Sequence, residues 1–189
     1  MSDAEAWAQT AMAKRPWREE FFARIASEIS GNPRRRVLEL GSGPGFLARA
    51  ILEAVEDVEY TLLDFSDAMH GLAKGRLGEL AVRARFVTAS FKHPQWTNRL
   101  GRFDYVITMQ AVHELRHKAY APALHAQVRT VLADGGHYLV CDHYVGADGM
   151  KNDQLYMTPE EQRRALEAAG FSSVRELLRK GGLVLHHAA

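Results

Sequence analysis

Residues His113-Glu114-Leu115-Arg116-His117 spell H-E-x-x-H. On one continuous helix this spacing brings two imidazoles to the same face, where they hold zinc while the glutamate serves as general base of a hydrolase. The neighbouring residues resist that reading. The extended form of the motif requires Gly at position 120 and His at position 123, where this chain has Tyr120 and Ala123. A third ligand would have to come from His125, His137 or Asp142, and the last two fall in a stretch that reads as a strand. His113 follows the apolar run FDYVIT closely, which puts it at a strand-to-helix junction instead of inside a helix. No metal ligands are assigned. His113 is instead a candidate base, because an imidazole of ordinary pKa ~6.5 accepts a proton at neutral pH. A structural hydrogen bond is its alternative role.

A second chemical feature is VLELGSGPGF, which sets Gly41, Gly43 and Gly45 between a buried strand and a helix. Glycines there permit a tight turn and let a ligand approach the backbone. The spacing is G-x-G-x-G, and Phe46 and Leu47 depart from the G-x-G-x-x-G dinucleotide fingerprint. Glu39, just before the loop, suits a cationic ligand and would repel a pyrophosphate. Asp64 closes the next strand, where an acid accepts from both hydroxyls of a ribose. Phe65 and Met69 come after it and can sandwich an adenine ring. Taken singly, either acid could cap a turn, and Phe65 or Met69 could be core.

In combination these residues resemble the class I S-adenosylmethionine-dependent methyltransferases, in particular the small bacterial kind with an E-L-G-S-G-P-G loop. The likeness runs from about Val37 to the C-terminus. It implies S-adenosyl-L-methionine as cofactor and a small-molecule methyl acceptor reacting through oxygen, nitrogen or sulfur. Gly41, Ser42 and Gly43, with Gly45 beside them, would wrap the methionine part, and Glu39 would face its ammonium. Asp64 would bind the ribose, and Phe65 and Met69 would pack on the adenine. Ala89, Ser90 and Phe91 would edge the adenine; the family often has an acid where this chain has Ser90. Gln110 would border the methyl donor, and His113 would orient the acceptor or take its proton. His143, Tyr144 and Tyr156 are candidates for the acceptor rim. Two further readings stay open: a protein that binds the cofactor without catalysis, and the zinc hydrolase.

The elements that must position these groups are set by periodicity. Residues 3–13 and 17–30 read as helices, the second with Phe21, Phe22, Ile25 and Ile29 at helical spacing. VLEL, VEYTLLDF, RARFVTAS, FDYVITMQ and GGHYLVCDHY read as strands alternating with helices, the last introduced by the turn Asp134-Gly135-Gly136. Ser66 is an N-cap, and Thr158-Pro159-Glu160-Glu161 opens another helix. SSVRELLRK and LVLHHA flank Gly181-Gly182 as a hairpin. Such alternation predicts an α/β fold: a doubly wound, mostly parallel seven-stranded sheet, Rossmann-like, with a C-terminal antiparallel hairpin. Residues 1–31 are expected to form a helical lid carrying Trp7, Trp17, Phe21 and Phe22, and residues 32–189 the cofactor-binding domain. Trp17 is thereby a candidate acceptor contact.

Composition narrows the partners. Among 189 residues, 24 Lys and Arg balance 23 Asp and Glu, so no basic excess argues for nucleic acid or an anionic membrane. The single cysteine, Cys141, excludes an internal disulfide and fits a reducing compartment. Nothing approaches the ~18 apolar residues of a membrane helix, and the N-terminus lacks a signal-peptide core. A cytoplasmic protein is expected.

Overall fold

The computed structural model describes residues 17–30 and 35–189; the helix expected at 3–13, Trp7 and the 31/32 boundary lie outside them. The strands are β1 (Arg35–Leu40), β2 (Val58–Asp64), β3 (Ala84–Thr88), β4 (Phe103–Met109), β5 (Leu132–His143), β6 (Val174–Lys180) and β7 (Leu183–Ala188). The helices are α1 (Arg18–Ile29), α2 (Phe46–Ala54), α3 (Asp67–Leu77), α4 (Ala121–Val131) and α5 (Pro159–Ala168). One seven-stranded sheet has the order β3-β2-β1-β4-β5-β7-β6. Strands β1 to β5 pair in parallel, while β7 inserts antiparallel between β5 and β6. A hairpin joins only antiparallel strands, so the Gly181-Gly182 turn dictates this finish.

Alternation along the central strands feeds two cores. Val37, Tyr105, Ile107, Leu139 and Cys141 point to the face covered by α1, α2 and α3. Leu38, Val106, Tyr138 and Val140 point to the other, covered by α4, α5 and Trp96. Helix α1 belongs to the first core: Phe21, Ile25 and Ile29 are fully buried, and the Tyr105 hydroxyl donates to the Glu28 carbonyl at 2.8 Å. Two boundaries differ from the sequence reading. The helix after Ser66 ends at Leu77, where Gly78 leaves helical geometry, and a 3₁₀ segment continues to Arg83. The turn at 134–136 lies inside β5, as an excursion between the pairs Phe103–Leu132 and Tyr105–His137.

Chain order steps outward from β1 through β2 to β3, then restarts at β4 on the other side. The connections after β1 and β4 therefore diverge and leave a crevice at the carboxyl ends of these strands. Gly45 helps to fix one wall. It sits at φ 77° before α2, and a β-carbon there would lie 3.0 Å from Ala73 Cβ on α3. Gly45→Ala should lower stability by about 1–3 kcal/mol, from left-handed strain and the α2–α3 contact; urea unfolding measures it.

Candidate functional site

A cavity of about 730 Å³ fills that crevice, within the size range of small-molecule sites. Its floor is the glycine loop. The N–H groups of Gly41 and Ser42 donate to the Leu63 carbonyl at 2.8 and 3.1 Å, which ties the loop to β2. Gly41 has φ 67°, and a β-carbon there would stand 2.6 Å from Ala111 Cβ. The loop after β1 thus touches the loop after β4, which only glycine permits.

Asp64 holds the next corner. Its Oδ2 accepts from Gly43 N–H at 2.8 Å and its Oδ1 from Ser66 N–H at 2.9 Å. Each carboxylate oxygen has a second lone pair, so the clamp leaves acceptor capacity for two hydroxyls. Glu39 is 2% exposed and accepts from the Tyr60 hydroxyl at 2.9 Å. Burial pushes its pKa up to about 8; the Tyr60 hydrogen bond opposes this, and the charge of Asp64 adds to it. The carboxyl is a proton-bearing group that a cationic ligand would ionise.

Of the residues singled out for the cofactor, Glu39, Gly41, Ser42, Gly43, Asp64, Phe65, Met69, Ala89, Ser90, Phe91 and Gln110 all line this one cavity. Gly45 does not; it packs on α3. Phe65 is 72% exposed and stands at the mouth. Phe22, expected on a lid, and Glu114, next to His113, also reach the wall, together with Arg18, Lys92, Met109 and Arg116, which were not foreseen. Arg18 and Phe22 come from α1, and periodicity assigned that helix only to packing or to a lid.

His113 lines a smaller pocket, of about 20 Å³, beside the large cavity. The HELRH segment is not one helix: a 3₁₀ turn spans Val112–Leu115, and Arg116 at φ 69° breaks the chain before a second turn at Lys118–Tyr120. His117 caps that second turn, accepting from Ala119 N–H at 3.1 Å. Among the described residues no three His, Cys, Asp or Glu side chains are placed to share a metal ion. His113 is instead held by Asp142 at the end of β5. Asp142 Oδ2 accepts the His113 backbone N–H at 2.8 Å, and Oδ1 faces His113 Nδ1 at 2.7 Å. A carboxylate only accepts, so Nδ1 carries the proton and Nε2 is left as the basic atom. Burial alone would lower the His113 pKa; the hydrogen bond and charge of Asp142 outweigh it and raise it above 6.5.

His143 and Tyr156 join His113 there, with ring centroids 5.4 to 5.7 Å apart. Gln110 connects the two compartments. Arg18 Nε donates to Gln110 Oε1, and Gln110 Nε2 lies 2.7 Å from His143 Nε2. Gln110 stands at φ 58°, a conformation uncommon for a side chain other than Gly or Asn. Trp17 and Tyr144 are not brought to either space. Trp17 packs over the β6–β7 turn at Gly181, and the buried Tyr144 donates to Asp148 at 2.6 Å.

A doubly wound sheet ending in an inserted antiparallel strand, with a left-handed glycine loop over a buried acid and an acid closing β2, is the arrangement of a nucleoside-cofactor domain. Residues 37–136, more than half of the chain, match the family model described as a methyltransferase domain. The chain belongs to this family, the class I S-adenosylmethionine-dependent methyltransferases. Malonyl-[acyl-carrier protein] O-methyltransferase of Geobacter sulfurreducens is 28% identical over 158 residues, covering 74% of this chain and 56% of that protein. The highly reducing polyketide synthase stpks1 of Strobilurus tenacellus is 26% identical over 189 residues, 82% of this chain but 6% of that protein. The chain thus spans about half, or far less, of these curated relatives. The fold is shared with the DhpI–SAH complex at TM-score 0.75 and 23% identity, covering 98% of this chain and 92% of that one. It is shared also with the glycopeptide N-methyltransferase MtfA bound to S-adenosylmethionine, at TM-score 0.70 and 21% identity, with coverages of 88% and 91%.

The residues present fit S-adenosylmethionine: a loop whose Gly41 leaves no room for a β-carbon, a buried acid that would face an ammonium, and a clamped acid with acceptor capacity for two hydroxyls. Glu39 also makes stability depend on pH. A carboxyl whose folded pKa, about 8, exceeds its unfolded value near 4.5 binds more proton when folded between the two. Ligand-free stability should therefore fall as pH rises through that window, by up to ~1.4 kcal/mol per pH unit from this group. Glu39→Gln should remove that slope in denaturant unfolding at pH 5 to 8.

Proposed function

We propose that this chain transfers the methyl group of S-adenosylmethionine to oxygen, nitrogen or sulfur of a small-molecule acceptor, with His113 as the base or orienting group. The observation that carries this is the junction at Gln110: its side chain forms part of the cofactor cavity and contacts His143 in the pocket of His113. A group bound beside Gln110 and one bound beside His113 are neighbours. When bound, the cofactor supplies an activated methyl on a sulfonium. The protein's part is then to position the acceptor, exclude water and remove a proton where the acceptor carries one.

The two imidazoles of the pocket have different duties. Arg18 can only donate, so the oxygen of Gln110 faces it and the amide nitrogen faces His143 Nε2, which must accept. That nitrogen is committed. In His113, Nδ1 is committed to Asp142 and Nε2 faces toward Glu114, with Oε1 3.8 Å away. His113 is the group suited to proton removal, and Asp142 fixes its tautomer. The Geobacter relative is named for an oxygen acceptor. A carboxylate acceptor would need no base at neutral pH, so the dyad favours acceptors that arrive protonated, such as hydroxyls or ammonium groups. Tyr156 and His143 would line the acceptor side, and α1 would cover the mouth through Phe22. The near-neutral charge argues against RNA, and the single buried cysteine accords with a cytoplasmic setting. Among the described residues no helix is long and apolar enough to cross a membrane.

Calorimetric titration should find binding of S-adenosylmethionine and none of NAD, and labelled methyl should pass to a small molecule of a cell extract. No S-adenosylmethionine binding would overturn the reading, and binding without transfer would reduce the chain to a cofactor-binding protein. With the acceptor in hand, His113→Ala should lower kcat/KM by ~10²-fold or more. The rate should rise with pH as His113 loses its proton, and Asp142→Asn should shift that limb to lower pH, since Asp142 is what raises the pKa. An unchanged rate in His113→Ala would end its role as a base.

A further inference from the structure

The loop at the floor of the large cavity has two limbs, and β2 holds only one of them. Gly41 and Ser42 give their N–H groups to the Leu63 carbonyl, and Gly43 gives its own to Asp64. The limb from Pro44 to Phe46 is built differently. Proline has no N–H, and the N–H of Gly45 turns back to the Ser42 carbonyl at 3.2 Å. The hydrogen-bond ladder of α2 starts at the Gly45 carbonyl, which accepts from Arg49 N–H at 3.0 Å, so the Pro44 carbonyl lies outside it. Gly41, Gly43 and Gly45 all stand at positive φ, and glycine loses more freedom on ordering than any other residue. Pro44 and Phe46 both line the cavity.

Arg76, in the last turn of α3, reaches both of them. Its Nη1 donates to the Pro44 carbonyl, and its guanidinium lies over the Phe46 ring, 3.8 Å from the centroid. A planar guanidinium can donate in its plane and stack through its face at once, which an ammonium cannot do. Its backbone is held in return, since Arg49 of α2 donates to the Arg76 carbonyl at 3.2 Å. Gly45 sits against Ala73, one turn earlier on the same helix. Arg76 does not itself line the cavity. Resting on the cofactor reading above, we propose that Arg76 is a positioning residue for cofactor binding: it holds the outer limb of the glycine loop and the Phe46 ring in place without touching the ligand. The loop is then clamped from two sides, by Asp64 at Gly43 and by Arg76 at Pro44. A limb released from α3 would have to be ordered at the expense of binding, so the loss falls on affinity and not on the chemical step.

The test is calorimetry of S-adenosylhomocysteine on the full chain, with hydrogen exchange on the ligand-free chain. Arg76→Met should weaken the ligand by about three- to tenfold, the scale of one hydrogen bond and one cation–π contact. Exchange at Gly45 should quicken in the same variant while β1 stays protected. Arg76→Lys, which keeps a cation over the ring without the fork, should fall between. Lys74, on the same helix, lies over the Phe86 ring at 5.1 Å and outside the cavity lining, so Lys74→Met is the control and should leave affinity within about twofold. With an acceptor in hand, KM for the cofactor should rise in Arg76→Met at little changed kcat. Should Arg76→Met fail to fold, Arg76→Lys carries the same comparison. Unchanged affinity in the Arg76 variants, or equal weakening by Lys74→Met, would overturn the proposal while the cofactor reading stood. A wild-type chain that does not bind S-adenosylhomocysteine would overturn both.

Discussion

A carboxylate at the end of a strand, accepting N–H groups from the connection beside it, is the constraint on which both compartments depend. Asp64 ends β2 and clamps Gly43 and Ser66; Asp142, next to last in β5, clamps the backbone and ring of His113 and the backbone of His143. Loops at the mouth of a parallel sheet have no ladder of their own, and buried N–H groups left unmade are costly. The two acids satisfy those groups and orient the segments that carry them. On one side the result is a cradle with spare acceptor capacity; on the other it is an imidazole with one defined tautomer.

Between the clamps lies Gln110. Its left-handed backbone turns the chain sharply after β4, with its N–H donating to the Cys141 carbonyl at 2.7 Å. Backbone held in a sparsely populated region persists where surrounding contacts over-determine it. Here those contacts are Arg18 and His143 at the side chain and β5 at the backbone. The strain therefore sits where the two cavities adjoin.

The same local clamp separates the two imidazoles of H-E-x-x-H. Zinc ligation by i and i+4 imidazoles requires an unbroken helical turn between them. Asp142 draws His113 toward β5, and the left-handed Arg116 sends the chain on toward α4, so the two rings serve different neighbours. His117 turns to Gln154 and the N–H of Ala119. A five-letter pattern specifies chemistry only when the backbone beneath it keeps one geometry.

Strand and helix alternation, the glycine loop and the acids at two strand ends were legible in the sequence because each is a local rule: side-chain period, left-handed φ, capping. These sufficed for the sheet, its final hairpin and eleven residues that share one cavity. That Arg18 reaches the cavity and that Asp142 holds His113 were not legible. Arg18 lies 92 positions from Gln110, and Asp142 lies 29 from His113. No local pattern encodes a contact across such separations. Gly45 packs against Ala73 outside the cavity lining, and a glycine that serves helix packing reads in sequence like one that serves a ligand. The linear order determined which strands carry polar groups at their ends. Only the reversal of strand order between β1 and β4, which brings separate loops together, decided which of those groups meet.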